Sequence, residues 1–387
     1  MKKTRVIHLV NSLALDGSGK VVMDLCRLIP NDKYDVSVVS LTQEISLSKL
    51  PQWPNHIPVF SFDYFFDSNY SLRRYITLFF IRSITLSRGS EIIRCIEELK
   101  PDVLHCHLQP RELILALELK KRINVRLLFT DHLKRLECGK YSSLNLYGLA
   151  WTYRKIFSHF HIVAVSKSVQ EYHIHFSLIN KSMIHRLIEN KIDTSYFLPG
   201  KKSGDSLRVI YVARLEARKG HKVLLKAWSK LGKPKCPVEL QLLGDGDEAF
   251  IKELKSLVEP GRDQFPVRFV GSIQNVLPYL QAADIAVFPS FQEGLSISFL
   301  EKMSCALPVI ASDIPELAQL ISNMENGLLF RTGDSEDLCS KLELLINDRE
   351  LREKLGGKAR RFVMDHYDIS NLKTEYEEVY KGILALP

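Results

Sequence analysis

The feature that most constrains the fold is an alternation that runs through all 387 residues. Short runs of β-branched and aliphatic residues are separated by longer stretches with a 3.6-residue apolar period. Runs with no polar alternate face are what strands covered on both sides look like, and helices cover both sides when they cross over between parallel strands. The pattern predicts an α/β protein of βαβ units. Expected strands are 5–10, 34–41, 103–107, 125–130 and 161–165 in the first half, and 207–212, 238–243, 267–270, 285–288 and 309–311 in the second. Helical periodicity is clearest over 20–28, 91–99, 222–230, 248–258, 298–305 and 336–346, with a long helical segment over 361–383.

This length exceeds one ordinary core and predicts two Rossmann-like domains. "FLPGKKSGDS", 197–206, is rich in Pro, Gly, Ser and Lys and has no apolar face, which makes it the natural linker. The expected division is 1–197, a linker 198–206, a second domain 207–365, and a helix 366–387 packing back towards the first domain. Ligands of open α/β sheets sit at the carboxyl ends of the strands, so two such domains facing each other put the site in the cleft between them.

Apolar content of 45% and charged content of 25% are those of a globular protein, and no apolar stretch approaches the ~20 residues that cross a bilayer. The N-terminus reads as a buried strand rather than a signal peptide, because His8 and Asn11 interrupt it. Seven scattered cysteines without a C-x-x-C pair predict a reduced, cytoplasmic protein. Charge is uneven: residues 1–200 hold 27 Lys and Arg against 18 Asp and Glu, and the rest 26 against 27. Within the basic half, Arg73, Arg74, Arg82, Arg88 and Arg94 interleave with apolar residues. That pattern fits either contact with an anionic membrane or an amphipathic helix with solvated arginines. No nucleic-acid recognition module is present.

Motifs fall just after the expected strands. "LDGSGKVVMDL", 15–25, resembles a P-loop but lacks the opening glycine and the magnesium-binding hydroxyl, which leaves a glycine turn. "ARLEARKGH" gives Arg214 and Lys219 before Gly220 at a helix entrance, a cationic clamp for a diphosphate or else a solvated basic loop. "PSFQEGLSISFLEKMSCALPVIAS" places Glu293 in a loop and Glu301 about two helical turns later. A carboxylate suits the vicinal hydroxyls of a ribose, but Ser298 and Glu301 also have the spacing of a capping box, and spacing alone leaves both open. Asp245 and Asp247 spell a metal-binding D-x-D, yet lie in a turn whose second aspartate suits a helix start. His105 and His107 share one strand face and with His132 suggest zinc, against which ordinary cleft or core histidines are the plainer reading. His173 and His175 are read the same way.

The ordered set "ARLEARKG", "EGLSISFLE" with its Glu-x7-Glu spacing, and "ALPVIAS" resembles the retaining glycosyltransferases of family 4, which have the GT-B fold. "PDVLHCH", "FTDH", "VAVSKS", "NKIDTSYF", "LLGDGDE" and "FVGSIQNVLPYLQAADIAVFPS" match in the right order, so the resemblance covers nearly the whole chain. It implies that Arg214 and Lys219 hold the diphosphate of a UDP-sugar or GDP-sugar, helped by Gly17. Glu301 would hold the ribose and Glu293 the transferred sugar, with the loop and amides of Gly294, Leu295, Ser296 and Ile297. His132 would hydrogen-bond the donor sugar near the reacting carbon, while Gly244, Gly271 and Ser272 would lie at the base. Asp16, Ser18 and His107 would face a glycan or lipid-linked acceptor. The implied reaction is retaining, with front-side attack, without a metal or other cofactor, in cell-surface polysaccharide or lipopolysaccharide synthesis; the basic first half, not the resemblance, is what suggests an acceptor at a membrane surface, the inner face of the plasma membrane.

The chain departs from the family at Asp16, Lys191 and His161, where glycine, glycine and aspartate are usual. The first puts donor or acceptor contacts in doubt; the others bear on local structure. A nucleotide-sugar 2-epimerase of the same fold and a non-catalytic sugar-binding protein remain as alternatives.

Overall fold

A computed structural model describes residues 3–11, 13, 17–42, 53–62, 82–107, 110–132, 143–179, 183–201, 206–234, 236–258, 265–293 and 295–386, without the side chains of 17–18, 82–89, 110–111 and 143–149. Asp16, Gly294, Cys138, Arg73 and Arg74 lie outside the described residues. The chain divides into two compact units: Met1–Glu189 with Asn371–Pro387, and Asn190–Ser370.

The first unit is built on a parallel sheet in the order β3-β2-β1-β4-β5-β6-β7. Its strands are β1 (Thr4–Val10), β2 (Tyr34–Ser40), β3 (Val59–Ser61), β4 (Val103–His107), β5 (Arg126–Asp131), β6 (His161–Ala164) and β7 (His185–Leu187). The central strands are almost wholly buried, as their continuous apolar runs require. Phe129, Phe157 and Phe160 pack together in the core on one face. The helix Leu372–Ala385 belongs to this unit: Tyr380 OH lies 2.9 Å from His105 Nδ1 and Tyr376 OH 3.2 Å from Thr130 Oγ1.

The second unit carries a parallel sheet in the order β10-β9-β8-β11-β12-β13. Its strands are β8 (Leu207–Val212), β9 (Val238–Leu243), β10 (Val267–Gly271), β11 (Ile285–Phe288), β12 (Val309–Ser312) and β13 (Leu328–Phe330). Strand order runs outward from β8 in one direction and from β11 in the other, so the crossovers change sides between those two strands. That reversal opens a crevice at their carboxyl ends. Phe288 and Phe299 pack edge to face beneath it, with ring centroids 4.7 Å apart.

Two expectations are corrected. The boundary at 197 and the linker 198–206 fall inside the second unit, since Asn190 Nδ2 donates to Leu295 O at 3.0 Å and Ile192 bridges to Asp368. The helical segment 361–383 is two helices, Arg349–His366 and Leu372–Ala385, separated by a 3-10 turn, Ile369–Asn371. Asp368 enforces the break by accepting from the Thr194 hydroxyl and from Ser370 N. Among the described residues, no helix is long and apolar enough to cross a membrane.

Candidate active site

In the second unit, β8 leads into a 3-10 turn, Ala217–Lys219, that ends at Gly220 with φ 70°. This left-handed conformation suits glycine, and a Cβ at Gly220 would lie 1.8 Å from Pro289 O. The turn is thereby seated on the loop that leaves β11. Two further bonds close it there: Phe291 N donates to Arg218 O at 2.8 Å, and the buried Tyr211 hydroxyl donates to Lys219 O at 2.7 Å.

The consequence is a charged pair at the switch point. Lys219 Nζ donates to both carboxylate oxygens of Glu293, at 2.7 and 2.8 Å, and Ser290 Oγ donates to Glu293 Oε1 at 2.6 Å. The side chains are only 14% and 6% exposed, so both charges depend on each other for compensation. Ser290 is itself held, since Ser312 Oγ donates to its carbonyl at 2.5 Å. Arg214 stands exposed two residues beyond β8 and forms no salt bridge among the described residues. A fixed ammonium, an oriented carboxylate and a solvent-facing guanidinium at one crevice are chemistry for an anionic ligand that also carries hydroxyls.

Past Glu293, Leu295 is buried and its carbonyl is tied to Asn190. Ser296 is the N-cap of the helix Ile297–Ser304, without a side-chain cap bond. Glu301 lies on this helix at 1% exposure. The capping-box reading of Ser298 and Glu301 does not hold: Ser298 lies inside the helix and its hydroxyl donates to Val212 O at 3.3 Å. Gly244 follows β9 and Gly271 ends β10, Gly244 N donating to Gly271 O at 2.8 Å, with Ser272 exposed beside them. Asp247 caps its helix by accepting from Ala249 N and Phe250 N at 3.0 and 3.2 Å, and Asp245 accepts from Gly246 N at 2.9 Å. Both aspartates therefore serve the turn.

In the first unit the switch point lies between β1 and β4, whose register sets His8 beside His105 and Val10 beside His107. His8 Nδ1 and His107 Nε2 share a hydrogen bond at 3.0 Å, and His105 Nε2 bonds Thr130 Oγ1 at 2.7 Å. Burial lowers the His8 pKa to about 3; burial, reinforced by neighbouring imidazoles, holds His105 and His107 well below the usual range. His132 follows β5, is 9% exposed, and has its ring centroid 6.0 Å from that of His107. Just before it, Asp131 Oδ2 bonds His173 Nε2 at 3.0 Å. Among the described residues, His8, His105 and His107 are the group whose ligand atoms cluster as metal donors would, so His132 is not the third member of the expected trio. Gly17 and Ser18 open the helix Gly17–Leu28.

Sequence reasoning gave no role to Tyr211, Ser290, Ser312, Asn190 or His8. Ser290 stands within the quoted "PSFQEG" and Asn190 opens the quoted "NKIDTSYF"; Tyr211, Ser312 and His8 act from within or beside strands and leave no local signature.

The parallel sheets, each with one strand-order reversal, define a pair of Rossmann-like α/β units, the second with a charged pair at its reversal. Comparison with known proteins sharpens this. The model of "Glycosyltransferase Family 4" matches residues 15–196 and that of "Glycosyl transferases group 1" matches 206–348. The chain belongs to this family of glycosyltransferases. It is 32% identical over 177 residues to an uncharacterized glycosyltransferase of Haemophilus influenzae, covering 46% of this chain and 48% of that protein. It is 31% identical over 118 residues to the N,N'-diacetylbacillosaminyl-diphospho-undecaprenol alpha-1,3-N-acetylgalactosaminyltransferase of Campylobacter jejuni, covering 30% and 31%. The aligned part of the chain thus spans no more than about half the length of these curated relatives. Among solved structures, Anabaena HepE in complex with UDP and glucose superposes with a TM-score of 0.76 at 18% identity, over 98% of this chain and 99% of that one. The fold is GT-B.

Proposed function

We propose that this chain is a retaining glycosyltransferase that moves a sugar from a UDP-sugar or GDP-sugar to a glycan or lipid-linked acceptor in polysaccharide or glycolipid synthesis. The second unit holds the donor and the first receives the acceptor. The observation that carries the reading is the Lys219–Glu293 pair, fixed by Ser290 and Tyr211 at the switch point of the second sheet beside Arg214. The UDP and glucose named for Anabaena HepE support a nucleotide-sugar donor, and the diphospho-undecaprenol in the Campylobacter enzyme's name supports a lipid-linked acceptor. The excess of Lys and Arg in the first 200 residues is the reason to set the acceptor at an anionic membrane surface.

In this reading Lys219 and Arg214 neutralise the diphosphate, which must leave with negative charge. Preorganised cations at that position stabilise the transition state, because charge grows there as the glycosidic bond breaks. Glu293, turned by Ser290, accepts from hydroxyls of the transferred sugar, with the Gly294 to Ile297 backbone as donors. Glu301 accepts from the ribose hydroxyls, while Gly244, Gly271 and Ser272 border the base. His132 hydrogen-bonds the donor sugar. Asp16, Gly17, Ser18 and His107 serve the reacting end, where the departing diphosphate takes the acceptor's proton and attack from the same face retains configuration. None of these steps calls on a metal or other cofactor.

The test is thermal unfolding against a panel of UDP-sugars and GDP-sugars. At a hundredfold excess over Kd the matching donor stabilises by about 2.7 kcal/mol. Lys219→Ala should abolish the shift. A panel without any shift, or a shift untouched by Lys219→Ala, contradicts the donor site.

A further inference from the structure

His8 and His107 are 0% and 1% exposed on the neighbouring strands β1 and β4, and His8 Nδ1 lies 3.0 Å from His107 Nε2. Burial keeps both imidazoles neutral, so each carries one N–H and one lone pair. Their shared bond uses the N–H of one ring and the lone pair of the other. It follows that of the two far nitrogens, His8 Nε2 and His107 Nδ1, one bears a hydrogen and the other a lone pair. Exchange of tautomers swaps them. Neither far nitrogen has a hydrogen-bond partner. His105, on the same face of β4, differs: both its nitrogens are engaged, by Tyr380 OH at 2.9 Å and Thr130 Oγ1 at 2.7 Å.

A buried donor and a buried acceptor left unpaired each cost stability, which apolar side chains at both positions would avoid. A hydroxyl both donates and accepts, so it satisfies either tautomer. His107 is the last residue of β4, and β1 and β4 flank the strand-order reversal, the edge at which open sheets bind ligands. His8 lies two residues short of the end of β1, so the His107 end of the pair is the one set at that edge. His107 N also donates to the buried Glu112 Oε2 at 2.7 Å, which fixes the backbone that carries the ring. Rings this hard to protonate are poor bases, which suits the pair to binding rather than to proton removal. The competing use of the trio is a metal ion. An ion at the facing nitrogens of His8 and His107 would draw His105 away from Tyr380 or Thr130. It would also leave both far nitrogens as N–H groups without the acceptor that metal-bound histidines ordinarily have.

We propose that His8 and His107 act as one tautomeric hydrogen-bonding unit: His107 Nδ1 pairs with a non-reacting hydroxyl of the sugar acceptor, and His8 is a positioning residue that fixes the His107 ring without touching the ligand. The inference rests on the acceptor-side reading above. Its test uses the full chain, the donor found by the nucleotide-sugar panel, and alkyl glycosides and polyprenyl-diphosphate-linked sugars as acceptors. Nucleoside diphosphate release gives kcat and the acceptor KM, and titration gives Kd for UDP or GDP. In His8→Leu the acceptor KM should rise about tenfold while kcat and the nucleoside diphosphate Kd stay within about twofold, because a contact kept from ground state to transition state moves KM alone. His8→Asn, whose amide stands near the place of Nδ1 and can donate or accept, should recover most of the loss. Histidine ring-nitrogen NMR of the parent near neutral pH should show one N–H and one lone pair at the two far nitrogens. An unchanged acceptor KM in His8→Leu, a parallel rise in nucleoside diphosphate Kd, or no recovery in His8→Asn overturns the inference. So does one equivalent of zinc held by the parent and lost in His8→Leu, which makes the trio a metal site. If His8→Leu does not fold, His8→Asn and the NMR decide: an acceptor KM near the parent's with the expected tautomers supports the pair, and a charged ring or two far N–H groups overturns it. If the parent releases no nucleoside diphosphate with any of these acceptors, the transfer reading itself fails, before any variant is made.

Discussion

Gly220→Ala reaches the site through backbone geometry alone. Gly220 has φ 70° and ψ 20°, so any other residue there takes on a left-handed strain of about 1–2 kcal/mol. The added Cβ would also lie 1.8 Å from Pro289 O and 2.7 Å from Pro289 C, where backbone stands on both sides of the contact and no side chain can swing away. Relief requires the turn and the loop after β11 to separate by about 1.5 Å, and overpacking of this kind adds about 1–3 kcal/mol. The sum, about 2–5 kcal/mol, is large against ordinary substitutions. Ser290 follows Pro289 and orients Glu293, so the displacement should also weaken donor binding. Urea unfolding of the variant beside the parent, with UDP and GDP titrations on both, reads the two effects together. A variant within about 0.5 kcal/mol of the parent, with unchanged affinity, would refute the claim that this turn and loop are seated on each other.

Other parts of the fold give predictions of their own. Tyr380→Phe removes the hydroxyl 2.9 Å from His105 Nδ1 and leaves a buried nitrogen unsatisfied, so urea unfolding should show a loss of about 1–3 kcal/mol. Asp247→Ala should cost about 1 kcal/mol through the lost helix cap while sugar transfer persists; abolished transfer would revive the metal reading of Asp245 and Asp247. Acid should destabilise the first unit through its buried histidines. The folded-state pKa of His8 lies near 3, below its ordinary 6.5, so between those values the unfolded chain binds the proton and the folded chain does not. This contribution is full above pH 6.5 and is lost as pH falls towards 3, with a slope of up to about 1.4 kcal/mol per pH unit for each such histidine. A stability profile that stays flat from about pH 8 to about pH 5 would contradict the neutral cluster.

The inner strands were legible because burial on both faces removes polar alternation, and their expected and observed limits agree closely. Strands β3, β7 and β13 were not, being three residues long and too short to show a period. The glycine-rich 17–19 reads as a turn, yet the helix starts at Gly17. In the site, Glu293 and Lys219 are legible from motifs although 74 residues separate them. What fixes them is legible only in part: Ser290 stands three residues before Glu293 within "PSFQEG", whereas the Tyr211 hydroxyl reaches the Lys219 carbonyl from inside β8 and leaves no motif. The same limit hides the first unit's network, where His8 and His107 are 99 residues apart and His105 and Tyr380 are 275. Ser298 shows how spacing misleads: the S-x-x-E pattern is present, but its hydroxyl is engaged by Val212 and Lys302.

The central claim is that the switch-point charges of the second unit carry sugar transfer from a nucleoside-diphosphate donor. It is tested most directly by nucleoside diphosphate release with the matched donor and acceptor, in the parent, Lys219→Ala and Glu301→Ala, with product configuration read by NMR. The account predicts release by the parent, retention of the donor's anomeric configuration, and a loss of at least about a hundredfold in each variant. Full activity in both folded variants would contradict it.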